Sequence, residues 1–583
     1  MAKANDCLRR SRGTERATRQ KSRVNSGAAL TLFLVLSLGS FPCSASQSLS
    51  NQVQEHLRNR IEAAGIPPEI VVGVEKIHAS VALPRFYTNR VFRGAWVDDK
   101  GLKPQAAEFV NAILGAGAEG LNPQDYHLDK IIELLGTIKR SEKGYRLPDA
   151  QVLTDVDLLL TDAFLIMGSH FSSGRVNPES IDPEWVANRR GMDMASILEN
   201  ALESNQIAKS MNNLVPAQSG YFGLRDALSR YRERAEKGGW GKIPEGPKLQ
   251  IGDRGERIKA LRDRLIATGE LNSSYGHDYD IFDEELENAV KMFQHRNGLE
   301  VDGIVGAAST AVLNVSVEDR INQIRVNMER WRWLPEDLGQ RHVIVNIANF
   351  ILNVSENNKT VMTMRVVVGT KYRRTPVFSA KMTYLVLCPY WHIPKKITLQ
   401  DKIPMILKDM NYLEKQKIRV LDGWGSDTKE IDPKTVDWTS ASSGNFTFRL
   451  RQDPGPLNAL GRIKFMFPNK FNVYLHDTPS REHFSKSIRT YSSGCIRIER
   501  PIDLAEYLLE SDPKWTREHI QIAIAENREH TVMIPEPLDV HLLYWTTWVE
   551  KDGSVHFSND IYKRDDRLRE ALDRESPGSS GNH

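Results

Sequence analysis

A change of period constrains this chain more than any other feature. Up to about Asn314 apolar residues recur at helical spacing, and from about Ile321 on they alternate in runs rich in β-branched side chains. One core cannot serve both textures over 583 residues, and length alone gives about three or four domains. From 47 to 245 the sequence reads as a mainly helical scaffold. "PQAAEFVNAILGAGAEGL" and "TDVDLLLTDAFLIMGSHFSSG" predict helices, and no catalytic constellation stands out. "EKGGWGKIPEGP" is a Gly/Pro-rich linker. A small three-helix domain follows over 246–316. Ile258, Leu261 and Leu265 share one helical face, and Phe282, Leu286, Ala289, Val290 and Phe293 share the next, with Gly269 and Gly298 closing the two helices.

The remainder, 317–565, predicts a mainly β domain, so the fold class is multidomain α+β. "HVIVNIANFILNV", "TVMTMRVVVGT" and "KMTYLVLCPYWHIP" are its strands, and the charged stretch of about 394–454 is expected as an inserted lid. Residues 566–583 are expected as a disordered tail.

The first 46 residues are of another kind. Seven Arg and Lys residues between Arg9 and Arg23 precede the apolar run Ala28–Leu38 and then "GSFPCSASQ". A basic segment, a short apolar run and small residues describe a signal peptide, here cut after Ser46, and the run is shorter than the roughly 20 residues of a spanning helix. The mature chain is therefore expected outside the cytoplasm, with an uncleaved signal-anchor as the alternative. Export leaves two cysteines, Cys388 and Cys495. In an oxidising compartment they either bridge or are retained as working thiols. The formal net charge of +3 gives no support for a nucleic-acid partner.

"VYLHDTPSREHFSKSIRTYSSGCIRIERPIDLAEYLL" holds the chemistry. His476 ends an alternating strand on the same face as Tyr474, and Cys495 follows a loop 19 positions later. A thiol attacks a carbonyl carbon as thiolate and needs a base nearby, and histidine can later protonate a leaving amine. Gly494 permits a tight turn, with the amides of Gly494 and Cys495 facing a developing oxyanion. By spacing alone, Cys495 reads more readily as a small buried apolar side chain than as a nucleophile. His483 lies in a charged stretch and reads as solvated. A metal hydrolase built on His476, Asp477 and His483 is a rival, but the spacing fits no familiar ligand pattern.

The wider pattern adds to this. "LQIGDRGERIKALRDRL", "AVKMFQHRNGL" and "VDGIVG" resemble the peptidoglycan-binding domain of wall-active enzymes, with Ser309 where that family usually has threonine. "PGPLNALGRIKFMFPNKFNVYLHDTP" with "YSSGCIRIERPIDLAEYLL", preceded by "ERWRWLPEDLG" and "RTPVFSAKMTYLVLCPYWHIP", resembles the L,D-transpeptidase catalytic domain of the large periplasmic Gram-negative subgroup. The resemblance implies Cys495 as nucleophile, His476 as general base and acid, and Gly494 as oxyanion-hole backbone. It implies a periplasmic transferase that links diaminopimelate to diaminopimelate in peptidoglycan and is acylated by carbapenems. An L,D-carboxypeptidase and a lipoprotein-attaching transpeptidase are the alternatives, with a non-catalytic wall-binding protein behind them. No metal or organic cofactor is called for. Ser493 replaces the family's usual histidine and Arg497 its usual asparagine. Arg497 is expected either to hold a substrate carboxylate or to pair with Glu499 or Asp503. Tyr491, Trp391 and Tyr390 are candidate channel walls, and Cys388 reads as inert core. The partners implied are stem peptides, glycan and other wall-synthesis proteins.

Overall fold

Helix Ala150–Ser173 is buried on nearly every face, as expected of a helix at the centre of a bundle. Asp149 caps it by accepting from the Gln151 amide. At its other end Gly174 is required by space: a Cβ there would lie 2.5 Å from Nε1 of Trp333 and 2.6 Å from Oε1 of Glu329. Helices Leu49–Glu62, Pro104–Leu114, Leu128–Lys143 and Met194–Ser204 lay their apolar stripes against it. The computed structural model describes residues 47–65, 68–144, 148–186, 190–272, 279–423, 425–441 and 446–574. The expected signal peptide lies outside these residues.

The three-helix domain forms from Glu256–Thr268, Glu284–Arg296 and Ala307–Leu313. Its core is the set read from helical spacing, joined by Ile243, Leu249, Leu271, Val305 and Leu313. Gly269 closes the first helix in a left-handed conformation, and Gly298 adopts one just beyond Asn297.

Nine strands make the β domain: β1 Arg341–Asn346, β2 Ile351–Glu356, β3 Lys359–Gly369, β4 Phe378–Leu387, β5 Ile463–Met466, β6 Leu475–His476, β7 Thr490–Ser492, β8 Ile496–Ile498 and β9 His530–Leu543. Their order is β7-β3-β8-β6-β5-β4-β9-β1-β2, and β2 pairs with β3 as well, so the sheet closes on itself. Closure leaves few open edges and sets alternate residues inward, among them Val343, Val345, Val366, Val368, Phe465 and Leu475. Helix Pro501–Leu509 opens on Pro501, as its sequence predicts, and buries Leu504, Leu508 and Leu509 against the barrel.

Three expectations are corrected. The boundary at 317 is not a packing boundary. Helix Val317–Arg332 puts Ile324, Met328 and Trp331 into the scaffold core, while its Val326, with Trp333 just past its end, goes to the barrel core. Leu543, Trp545, Val555 and Phe557 return to the scaffold core from the far side of the barrel, and Trp545 stacks on Trp331 at 4.4 Å. The insertion begins at Trp391 rather than 394 and is more than a charged cover. Strands Trp391–Ile393, Ile418–Asp422, Lys429–Ile431 and Arg449–Gln452 form its own antiparallel sheet over a core that includes Ile403, Val420, Trp438 and Leu450. Finally, the expected tail starts as helix Asp565–Asp573, ordered by burial of Leu568 and Leu572. Residues 575–583 lie outside the described ones. No helix among the described residues is long and apolar enough to cross a membrane.

Candidate active site

Strand β6 runs between β5 and β8, and this sets the site. His476 pairs with Lys464 of β5 on one side and with Arg497 of β8 on the other. The β6–β8 pairing is parallel, and the Ile496 amide donates to the Tyr474 carbonyl at 3.1 Å. Cys495 and Tyr474, each one residue before its strand, therefore lie side by side. His476 is buried at 5% exposure. Its Nδ1 lies 2.5 Å from the Asp477 carbonyl oxygen, which can only accept, so the proton sits on Nδ1 and Nε2 keeps its lone pair. Burial, then the Arg497 charge and Lys464, push the imidazole pKa down to about 3, against the pull of the Asp477 and Leu460 carbonyls. At neutral pH the ring is an uncharged base.

Cys495 is half-buried and its thiol is free. Burial pushes its pKa up, while hydrogen bonding from Tyr474 and the charges of Lys464 and Arg497 pull the other way. Tyr474 stands beside both partners: its ring centre is 5.7 Å from that of His476, and its hydroxyl is placed to donate to the Cys495 sulfur once that is a thiolate. Lys464 Nζ stands 4.0 Å from the Tyr474 ring centre. Burial holds the Tyr474 hydroxyl well above the ordinary tyrosine range, so it remains a donor.

The resting pair is thus a neutral thiol and a neutral imidazole among two cations, and a pH dependence follows. A raised thiol pKa means that the reactive thiolate grows as pH rises. Iodoacetamide labelling of Cys495, followed by mass spectrometry, is expected to accelerate by about tenfold per unit between roughly pH 7 and 8. No acid limb from His476 is expected above about pH 4, since its folded pKa is about 3. Lys464→Met, which removes one cation, shifts the labelling curve to higher pH.

The loop before Cys495 corrects one expectation. Gly494 does turn the chain, at φ +114°, but its amide, expected to line an oxyanion hole, is engaged by a side chain of its own loop. It donates to Ser492 Oγ at 3.1 Å, and that hydroxyl in turn donates to the Cys495 carbonyl. A short turn closed by its own serine has consumed the donor. Ser493 is exposed, and its Oγ accepts from Arg373 Nη1 at 3.0 Å. Arg373 also donates to Asp401 Oδ1 of the insertion at 2.6 Å, so the insertion is tied to the nucleophile's loop.

Neither pairing expected for Arg497 forms: Glu499 is held by Arg365, and Asp503 by Arg500 and Arg517. Among the described residues no carboxylate pairs with Arg497, and its Nε is buried without a partner. Its Nη1 reaches His483 Nδ1 at 3.3 Å, which must accept. His483, expected to be solvated, stacks on Tyr491 with ring centres 4.3 Å apart. Tyr491 is 44% exposed, whereas the Trp391 ring is taken up by the insertion's core, with Lys402 Nζ 5.2 Å from its centre. Cys388 is a free, buried thiol that donates to the Ile524 carbonyl at 3.3 Å. Among the described residues no group of three or more His, Cys, Asp or Glu side chains is placed to hold a metal ion.

Lys464, Asp401 and Arg373 carried no signal in the sequence. Tyr474 did, through its shared strand face with His476.

Known proteins resemble each part. Residues 340–517 match a family model described as "L,D-transpeptidase catalytic domain", 81–228 one described as "Scaffold domain", and 254–313 one described as "Putative peptidoglycan binding domain". A "Putative L,D-transpeptidase" of Haemophilus influenzae is 34% identical over 254 residues, 43% of this chain and 50% of its own length. An N-acetylmuramoyl-L-alanine amidase of Bacillus licheniformis is 41% identical over 68 residues, covering 12% of this chain and 19% of the amidase. The chain thus spans about half or less of these relatives' lengths. A crystal structure of an L,D-transpeptidase from Xylanimonas cellulosilytica aligns over 51% of this chain and 98% of its own, at 18% identity and a TM-score of 0.16.

Proposed function

On the footing that the chain carries an L,D-transpeptidase catalytic domain with scaffold and peptidoglycan-binding domains, we propose that it forms 3→3 cross-links between diaminopimelate residues of neighbouring peptidoglycan stems in the periplasm. The observation that carries the reading is the pairing at β6 and β8. A free thiol stands one residue before the strand that lies against His476, whose proton is fixed on Nδ1 and whose Nε2 is left as a base.

In this reading the Cys495 proton passes to His476 Nε2 as the sulfur attacks the carbonyl carbon of diaminopimelate in a tetrapeptide stem. The carbonyl's electron pair collapses back, the bond to terminal D-alanine breaks, and the imidazolium returns its proton to the leaving amine. The thioester is then attacked by the side-chain amine of diaminopimelate on a second stem. That amine gives its proton to His476, and the thiolate leaves and is reprotonated. Charge on the oxyanion is met by the Cys495 amide and the Tyr474 hydroxyl, which keeps its proton. Arg497, without a counter-ion, holds a substrate carboxylate. Ser493 positions the loop through Arg373, and Tyr491 forms the rim. Trp391 supports the insertion from within.

Purified protein incubated with diaminopimelate-containing tetrapeptide muropeptides is expected to give a cross-linked dimer and free D-alanine by mass spectrometry. Tripeptide without dimer would instead mean that water is the acceptor, which overturns the cross-linking reading in favour of a carboxypeptidase.

A further inference from the structure

Away from the thiol, one group of side chains is out of charge balance. A cavity of about 60 Å³ lies where helix Ser219–Glu236, the three-helix domain, helix Val317–Arg332 and the strand Val555–Phe557 meet. Its wall carries Arg230, Arg234, Arg264, Arg296 and Arg320 against one carboxylate among the described lining residues, Glu270. Glu270 is taken by Arg296 at 2.8 Å, and none of the other four arginines pairs with a carboxylate among the described residues.

Two of the four are deeply placed: Arg264 is 2% and Arg320 6% exposed. Burial pulls both guanidinium groups down to about 10. They are held by neutral groups. Arg264 donates to the Leu313 carbonyl and lies 4.0 Å from the Trp240 ring centre, and Arg320 donates to Asn297 and lies 4.1 Å from that of Phe557. Aromatic faces offset part of the cost of burying like charges but supply no counter-charge. The hole that remains is the size of one small oxyanion.

A second cavity of about 340 Å³ shares Asn297, Arg320 and Phe557 with the first. Its wall mixes both signs, with Asp319, Asp560, Asp565 and Asp566 beside Arg320, Lys563 and Arg569. A site of this shape suits a zwitterionic peptide that ends in a carboxylate. We propose that the two cavities together form a second, non-catalytic peptide site, in which the arginines take the terminal carboxylate of a stem peptide and the larger cavity takes its zwitterionic body. The ligand class rests on the peptidoglycan reading above. The site itself does not depend on turnover, since Cys495 takes no part in it. Occupancy would brace the three-helix domain against the scaffold and the returning strand.

The test uses the full chain with Cys495→Ala to prevent acylation, and calorimetric titration of a diaminopimelate-containing tetrapeptide, its C-terminal amide and inorganic phosphate at constant ionic strength. Two binding events are expected for the acid. One of them is weakened at least tenfold by Arg230→Gln with Arg234→Gln, and by amidation of the peptide. Both arginines are only half-buried, so the fold is expected to survive, and an unchanged melting temperature checks this. A single event indifferent to the double substitution would overturn the proposal, as would equal binding of acid and amide at the substituted site. Saturable phosphate binding without peptide binding would overturn the peptide as ligand. Dimer formation by the unaltered chain is read separately, so failure here and failure of the cross-linking reading are distinguishable.

Discussion

Cys495→Ala is expected to abolish both dimer formation and the covalent adduct with a carbapenem, while His476→Gln lowers the acylation rate by roughly 10²–10⁴-fold. The two losses differ because the thiol is the atom that becomes acylated, and the imidazole only moves its proton. Glutamine keeps a donor toward the Asp477 carbonyl but offers no nitrogen lone pair where Nε2 stood. Intact-mass measurement of the adduct and its rate of formation separates the outcomes. An adduct persisting in Cys495→Ala, or forming on Cys388, would transfer the chemistry to another residue. A His476→Gln variant that acylates at the original rate would leave Tyr474, Lys464 and Arg497 as the activators.

Arg332→Leu is the second large effect, here on stability. Arg332 and Glu329, 1% and 0% exposed, pair at 2.8 Å, and Arg332 also donates to the Tyr221 hydroxyl at 2.9 Å and to the Glu119 carbonyl. Glu329 accepts from the Val176 amide at 2.8 Å. Removing one partner strands a buried charge, for which a loss of about 3–5 kcal/mol is expected. Replacing both charges, in Glu329→Leu with Arg332→Leu, is expected to cost less than the two single losses together, because no unpaired charge remains. Urea unfolding of the four proteins measures the cycle. Strict additivity would mean that the two residues act independently.

How much of this was written in the sequence depends on range. The three-helix core follows from 3.6-residue spacing because each helix buries one stripe. The barrel strands follow from alternation because closure gives every strand an inside. His476 and Cys495 were legible as residues. What they face was not, since the cross-strand register that brings Lys464 and Arg497 beside His476 joins segments by tertiary pairing alone. The Gly494 amide was assigned to an oxyanion because local geometry allowed it, and the Ser492 hydroxyl claimed it. The insertion read as irregular because its strands are three to five residues long, too short for alternation to register. Helix Val317–Arg332 read as the start of one domain, and only packing shows that its opposite faces belong to two.

That shared helix, with the strands that come back to the scaffold, has a consequence for synthesis. Arg175, near the end of the central scaffold helix, donates to the carbonyls of Ala571, Leu572 and Arg574, and Trp545 and Phe557 fill the scaffold core. Arg175 therefore waits for carbonyls made 396–399 positions later, and the Trp331 face waits for Trp545, made 214 positions later (545 − 331). A nascent chain arrested before Leu543 would expose the Trp331 face. Such a chain would be sticky, and a holding chaperone or a protease would meet it before its own last segment did.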